Sequence, residues 1–112
     1  MTVDRRRERR LWCSELIRVR AGGREITANL EDISPSGACV QTEEPLGVGA
    51  RVCLLCGRRR LHGTVRYSVH NEIGYFAGIQ FDGRRKWSLE SFQPEHLLNP
   101  MKVKGTSKPR VH

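Results

Sequence analysis

The chain predicts an all-β domain, a small antiparallel barrel or sandwich of six short strands. Three observations predict it. Apolar and polar residues alternate over short stretches, the signature of half-buried strands. Turn signals rich in Gly, Pro, Asn and Asp separate those stretches at near-regular spacing. The length of 112 residues is enough for one modest core and not for two. Closure into a barrel would also remove the sheet edges that such strands otherwise expose.

The elements follow in order. Leu16–Arg20 alternates, with Ile17 and Val19 on one face and Arg18 and Arg20 on the other. Ala21-Gly22-Gly23-Arg24 is a two-glycine hairpin turn, and Glu25–Glu31 returns with Ile26, Ala28 and Leu30 inward. Asp32–Gly37 reads as a tight turn, followed by a short strand Ala38–Thr42 with Val40 inward. Glu43–Gly49 is a loop marked by Pro45, Gly47 and Gly49. The strand Ala50–Cys56 then sets Val52, Leu54 and Cys56 on one face, and Gly57–Arg60 turns it back. Leu61–Val69 alternates throughout, which predicts Leu61, Val65, Tyr67 and Val69 inward and His62, Thr64, Arg66 and Ser68 outward. After a turn at Asn71–Gly74, Tyr75–Phe81 closes the series with Tyr75, Ala77, Ile79 and Phe81 on one side. Trp87–Phe92 predicts a short helix, and Pro94 suits the first turn of another over Glu95–Leu98. Trp87, Leu89, Phe92, Leu97 and Leu98 would let this piece plug one end of the barrel. The resulting division is a flexible arginine-rich arm at 1–10, a barrel domain with its helical segment at 11–98, and a disordered tail at 99–112.

Composition narrows the function. The net charge is +8, and 16 of the 20 basic residues are arginine, so an anionic partner is expected. No apolar run approaches the roughly 20 residues of a membrane span, and the basic N-terminus leads into no continuous apolar segment. A cytoplasmic location, with no membrane partner, is the expectation. Reduced cysteines follow from it. Cys53 and Cys56 form a CxxC followed by His62 and His70, which raises zinc. Residues three apart on a strand point to opposite faces, however, so no metal site is expected.

Two short motifs carry the remaining signal. Asp32, Ser34 and Gly37 form DxSxxG, which offers a carboxylate, a hydroxyl and a position of close backbone approach. Upstream, Asp4–Arg10 contains RxxxR in two registers, Arg5 with Arg9 or Arg6 with Arg10. Either motif alone is weak, because turns and charged tails are built from the same residues. Arginine forks do suit phosphate and the O6/N7 edge of guanine.

RxxxR followed by DxSxxG, in that order on an all-β background, resembles the PilZ domain, the bacterial receptor module for cyclic di-GMP. The resemblance covers roughly residues 4 to 81 and includes Ala38 after the glycine and the Gly78-Ile79-Gln80-Phe81 closing strand. It implies a six-stranded antiparallel PilZ-type β-barrel, a flexible N-terminal arginine arm that closes over the ligand, and here a short C-terminal helix. It favours Arg6 and Arg10 as the pair, with Arg5 as helper and Arg9 as the alternative register. Asp32 would accept from a guanine N–H or brace an arginine, Ser34 would reach a base or phosphate, and Gly37 would admit the ligand. Relatives often place a base-stacking residue at Tyr67, whereas alternation puts Tyr67 in the core, so both roles stand. Glu8, inside the arginine run, is placed to compete with the ligand for Arg5 or Arg9.

The resemblance implies no cofactor, cyclic di-GMP as ligand and an unidentified protein partner. Two other readings compete. One is a PilZ-like interaction module that no longer binds nucleotide. The other is a basic nucleic-acid binder using Arg5–Arg10 and Arg58–Arg60, which explains the charge but leaves DxSxxG idle and has few aromatics for base stacking. An enzyme is not expected: His62 and His70 stand beside no nucleophile turn, and no phosphate-binding GxxxxGK[ST] is present.

Overall fold

The structure is a computed structural model and describes residues 10–83 and Pro94. Six antiparallel strands form a closed barrel: β1 Leu11–Ala21, β2 Arg24–Ser34, β3 Gly37–Thr42, β4 Arg51–Cys56, β5 Arg59–Asn71 and β6 Gly74–Phe81. Around the barrel the order is β1-β2-β3-β6-β5-β4, with β4 pairing back onto β1. Four hairpins, β1–β2, β2–β3, β4–β5 and β5–β6, supply all but one connection. Gly22 and Gly23, at φ 58° and 82°, form the β1–β2 turn, a left-handed pair that a side chain would strain. The β3–β4 connection instead crosses the barrel end between opposite strands. It tucks Leu46, a buried residue in the predicted loop, into the core on the way.

The core comes from the inner parity of all six strands. Val19, Leu30, Ile33, Val40, Leu54 and Val65 are essentially inaccessible to water. Each contributes about 1.5–3 kcal/mol of burial. The predicted inward sets Val52, Leu54, Cys56 and Ala77, Ile79, Phe81 are buried as expected. Cys53 and Cys56 do fall on opposite faces, Cys56 in the core and Cys53 partly exposed.

The structure corrects the sequence reading in three places. β1 starts at Leu11, ahead of the strand predicted at Leu16–Arg20, so Leu11 and Trp12 already belong to the sheet. β2 runs through Ser34, so Asp32 and Ser34 are strand residues and the turn is only Pro35-Ser36. Tyr67 and Val69 are not inward: Tyr67 is 43% exposed and Val69 53%. The cause is a β-bulge. Val65 pairs with Ile79 and Tyr67 with Gly78, leaving Arg66 as an extra residue in β5, and every side chain beyond it changes face. The predicted helices at 87–92 and 95–98 lie outside the described residues except for Pro94, which is buried; the tail at 99–112 lies outside them too.

Candidate functional site

The site grows from three irregularities that fall beside one transverse row of residues. Between β2 and β3, Leu30 pairs with Val40 and Asp32 with Cys39, so Glu31 is an extra residue. Leu30 faces the core, and after the bulge Asp32 faces outward while Ile33 turns in. Between β1 and β2 the register slips over the same stretch, from Trp12–Asp32 to Glu15–Leu30. The Arg66 bulge brings Tyr67 out opposite Gly78. Read across the strands, the outer row is Trp12, Asp32, Cys39, Gly78 and Tyr67. Bulges commonly re-aim side chains next to functional sites, and these two in β2 and β5 expose the row from both ends.

Asp32 is mostly buried, and its Oδ2 lies 3.9 Å from Nη1 of Arg10, which is well exposed. This contact brings the last arginine of RxxxR to the first residue of DxSxxG. At that distance and exposure it is worth at most about 1 kcal/mol, loose enough to exchange for a ligand. Glu31 is buried beside it and accepts a 2.6 Å hydrogen bond from Asn29 Nδ2. Cys39 lies between them and Tyr67. Burial first, then the charges of Asp32 and Glu31, push its thiol up to about 12, against the hydrogen bond from Tyr67 and the charge of Arg10. Burial likewise raises the Tyr67 phenol, with Cys39 and Asp32 adding to it. Both groups are therefore neutral donors near pH 7.

The glycines of the row have structural duties. A Cβ on Gly78 would run into the Tyr67 ring, so the glycine is the bed on which the ring lies. A Cβ on Gly37 would strike the carbonyl oxygen of Ile79, so Gly37 serves the close approach of β3 to β6 rather than only that of a ligand. The Ser34 hydroxyl donates to Gly37 O at 3.3 Å and closes the Pro35-Ser36 turn from inside.

Of the predicted residues, the structure therefore gathers Arg10, Asp32, Ser34, Gly37 and Tyr67 on one outer wall. Arg5, Arg6 and Arg9 lie outside the described residues. The sequence reading did not name Cys39, Glu31, Trp12 or Gly78 as site residues; only the pairing register brings them to this row. A groove of about 500 Å³ lies further along β2 and β3, lined in part by Glu25, Glu43 and Glu44. Glu25 and Glu44 there are already held by Arg18, Arg20 and Arg24, and the groove lies away from the DxSxxG element, so the row around Asp32 is the better candidate. Among the described residues no three His, Cys, Asp or Glu side chains gather as metal ligands. No helix among them is long and apolar enough to cross a membrane.

The chain is thus a small all-β module, a closed six-stranded antiparallel barrel with an arginine–aspartate contact on its outer wall. The family model for the PilZ domain matches residues 4–86, most of the chain, and the chain belongs to the PilZ family. No curated protein matches the chain. The PilZ domain is generally a cyclic di-GMP receptor, a ligand-binding module and not an enzyme.

Proposed function

We propose that this chain is a cyclic di-GMP receptor in which the N-terminal arginine arm closes over ligand lying on the Asp32–Cys39–Gly78–Tyr67 wall. The supporting observation is the approach of Arg10 to Asp32 at 3.9 Å, which sets the arm's end at the DxSxxG element. Cyclic di-GMP has two anionic phosphates and two guanines. Arg10, with Arg6 and Arg5 as its partners or Arg9 in the other register, supplies planar forks for phosphate oxygens or guanine O6 and N7. Asp32 accepts from guanine N1–H and N2–H₂ or braces an arginine, and Ser34 supports the turn that carries the wall. Tyr67 offers an outward ring to a base. Ordering the arm costs entropy, so binding depends on how fully these charges are met. The closed arm presents a new surface for a protein partner, in a cytoplasmic setting with no cofactor.

Calorimetric titration with cyclic di-GMP, with GTP as control, tests the reading against Arg10→Ala and Asp32→Ala. Micromolar or tighter binding is expected, weakened by about tenfold or more in each variant. An absence of heat, together with melting unshifted by ligand, would overturn it in favour of the interaction module.

A further inference from the structure

The wall opposite the candidate site has a different chemistry. β4 stands across the barrel from β3 and pairs with β1 and β5. Two outer rows cross it: Arg18–Leu55–Arg60 and Arg20–Cys53–His62. Leu55 and Cys53, both partly exposed, thus form a short apolar column flanked by cations on each side. Strand geometry sets the flanking columns roughly 10 Å apart and the two central residues roughly 7 Å apart. Arg58, exposed in the β4–β5 turn, adds a further cation at one end.

Glu25 is the described acid that meets Arg18 and Arg20, while Asp82, held by Arg51, borders the wall beside His62. Glu25 holds Arg18 through Nε at 2.8 Å and Arg20 through Nε at 3.1 Å. Both guanidinium groups are thereby ordered, yet one carboxylate answers two arginines and leaves Arg58 and Arg60 without a described acid in ion-pair range. The wall is cationic and preorganised, with an apolar centre.

We propose that this wall docks an acidic segment of a partner protein whose aliphatic side chains seat on Leu55 and Cys53 while its carboxylates meet Arg18, Arg20 and Arg60. An apolar centre ringed by arginine is the anatomy of a protein interface. Nucleic acid fits less well: phosphates would use the arginines, but the column between them has no aromatic ring on which a base could stack. The surface is remote from Asp32, so docking does not rest on the cyclic di-GMP reading.

The probe is a fluorescein-labelled peptide alternating Glu and Leu, followed by anisotropy at low salt. A Glu–Ser peptide and a single-stranded oligonucleotide of equal charge are the comparisons. The Glu–Leu peptide should bind best. Arg18→Glu and Arg60→Glu should each weaken it by about tenfold. Leu55→Ser should weaken the Glu–Leu peptide and leave the Glu–Ser peptide unchanged, and Asp32→Ala should change neither. Arg60 is exposed and in no described ion pair, so unchanged melting is expected of Arg60→Glu. Arg18→Glu instead sets a second carboxylate against Glu25 and should lower melting slightly without unfolding the barrel. Leu55→Thr, which keeps strand preference, replaces Leu55→Ser if that variant does not fold. Equal binding of the Glu–Ser peptide, tighter binding of the oligonucleotide, indifference to both charge reversals, or no binding at all would each overturn the proposal.

Discussion

Arg51 and Asp82 close their ion pair with two hydrogen bonds, of 3.0 and 2.7 Å, whereas Arg10 approaches Asp32 only to 3.9 Å. The two pairs belong to unlike walls. Around β4, the pairing with β1 and β5 runs without a register shift. Around β3, the neighbouring strand β2 and, beyond β6, the strand β5 carry extra residues at Glu31 and Arg66, and β1 slips beside β2. A regular wall alternates cleanly, so its outward residues are those the period of two sets there, on β4 Arg51, Cys53 and Leu55. A bulged wall brings to its surface groups that alternation would hide, here an acid and an aromatic ring. The comparison locates the ligand chemistry on the irregular side.

The bulge at Arg66 is the sharpest place to break that comparison. Deleting Arg66 would restore strict alternation in β5 and drive Tyr67 and Val69 toward a core already filled by Val65, Ile79 and Val40. Overpacking of this kind should cost about 3 kcal/mol or more. Chemical denaturation would measure it, and the near-ultraviolet signal of Tyr67 would report its change of setting. Unchanged stability with Tyr67 still exposed would show that the bulge relocates freely and that the walls differ less than their registers suggest.

The same bulges mark the limit of what the sequence discloses. Val52, Leu54 and Cys56 on β4, and Ala77, Ile79 and Phe81 on β6, were legible because nothing interrupts their period of two. Tyr67 and Val69 were misassigned because an extra residue leaves no compositional mark; Arg66 looks like any outward strand residue. The DxSxxG element was visible as a motif, but as a turn, since Asp, Ser, Pro and Gly favour turns and only pairing shows that β2 continues through Ser34. Cys39 and Gly78 were illegible as site residues because their place beside Asp32 and Tyr67 depends on long-range register. That Asp32 could brace an arginine came with the family resemblance as one of two roles, and nothing local in the sequence singled out Arg10.

Cysteine reactivity separates the walls more gently. On the bulged wall, Cys39 is buried and its thiol is pushed up to about 12 by burial and by Asp32 and Glu31. On the regular wall, Cys53 is partly exposed; burial raises its thiol too, while Arg60 and Arg20 oppose the rise. Reactivity follows the thiolate and its access. Iodoacetamide at mildly alkaline pH should therefore label Cys53 at least about a hundredfold faster than Cys39. Peptide mass spectrometry over time would resolve the sites. Comparable rates would mean that the Tyr67 cover opens readily and that the candidate wall is less closed than its burial implies.

Acid stability gives the smallest effect, and it belongs to the regular wall. Hydrogen bonding and then charge from Arg51 hold the Asp82 carboxyl below its ordinary value, against some burial; hydrogen bonding from Arg20 does the same for Glu25. A carboxylate whose folded pKa is depressed adds stability that is complete above its unfolded value. That stability is lost as pH falls through the folded value. The melting temperature should thus hold steady from neutrality to about pH 4, near the unfolded carboxylate values, and drop below it. Arg51→Ala should flatten part of that drop by removing the partner that lowers Asp82. Both pairs are exposed and screened, so the difference should shrink further in high salt. An acid limb identical in wild type and Arg51→Ala at low salt would show that the closed pair on the regular wall adds nothing to stability. The closed geometry of Arg51 with Asp82 would then be a matter of surface order, and the wall's charges would remain available to whatever docks there.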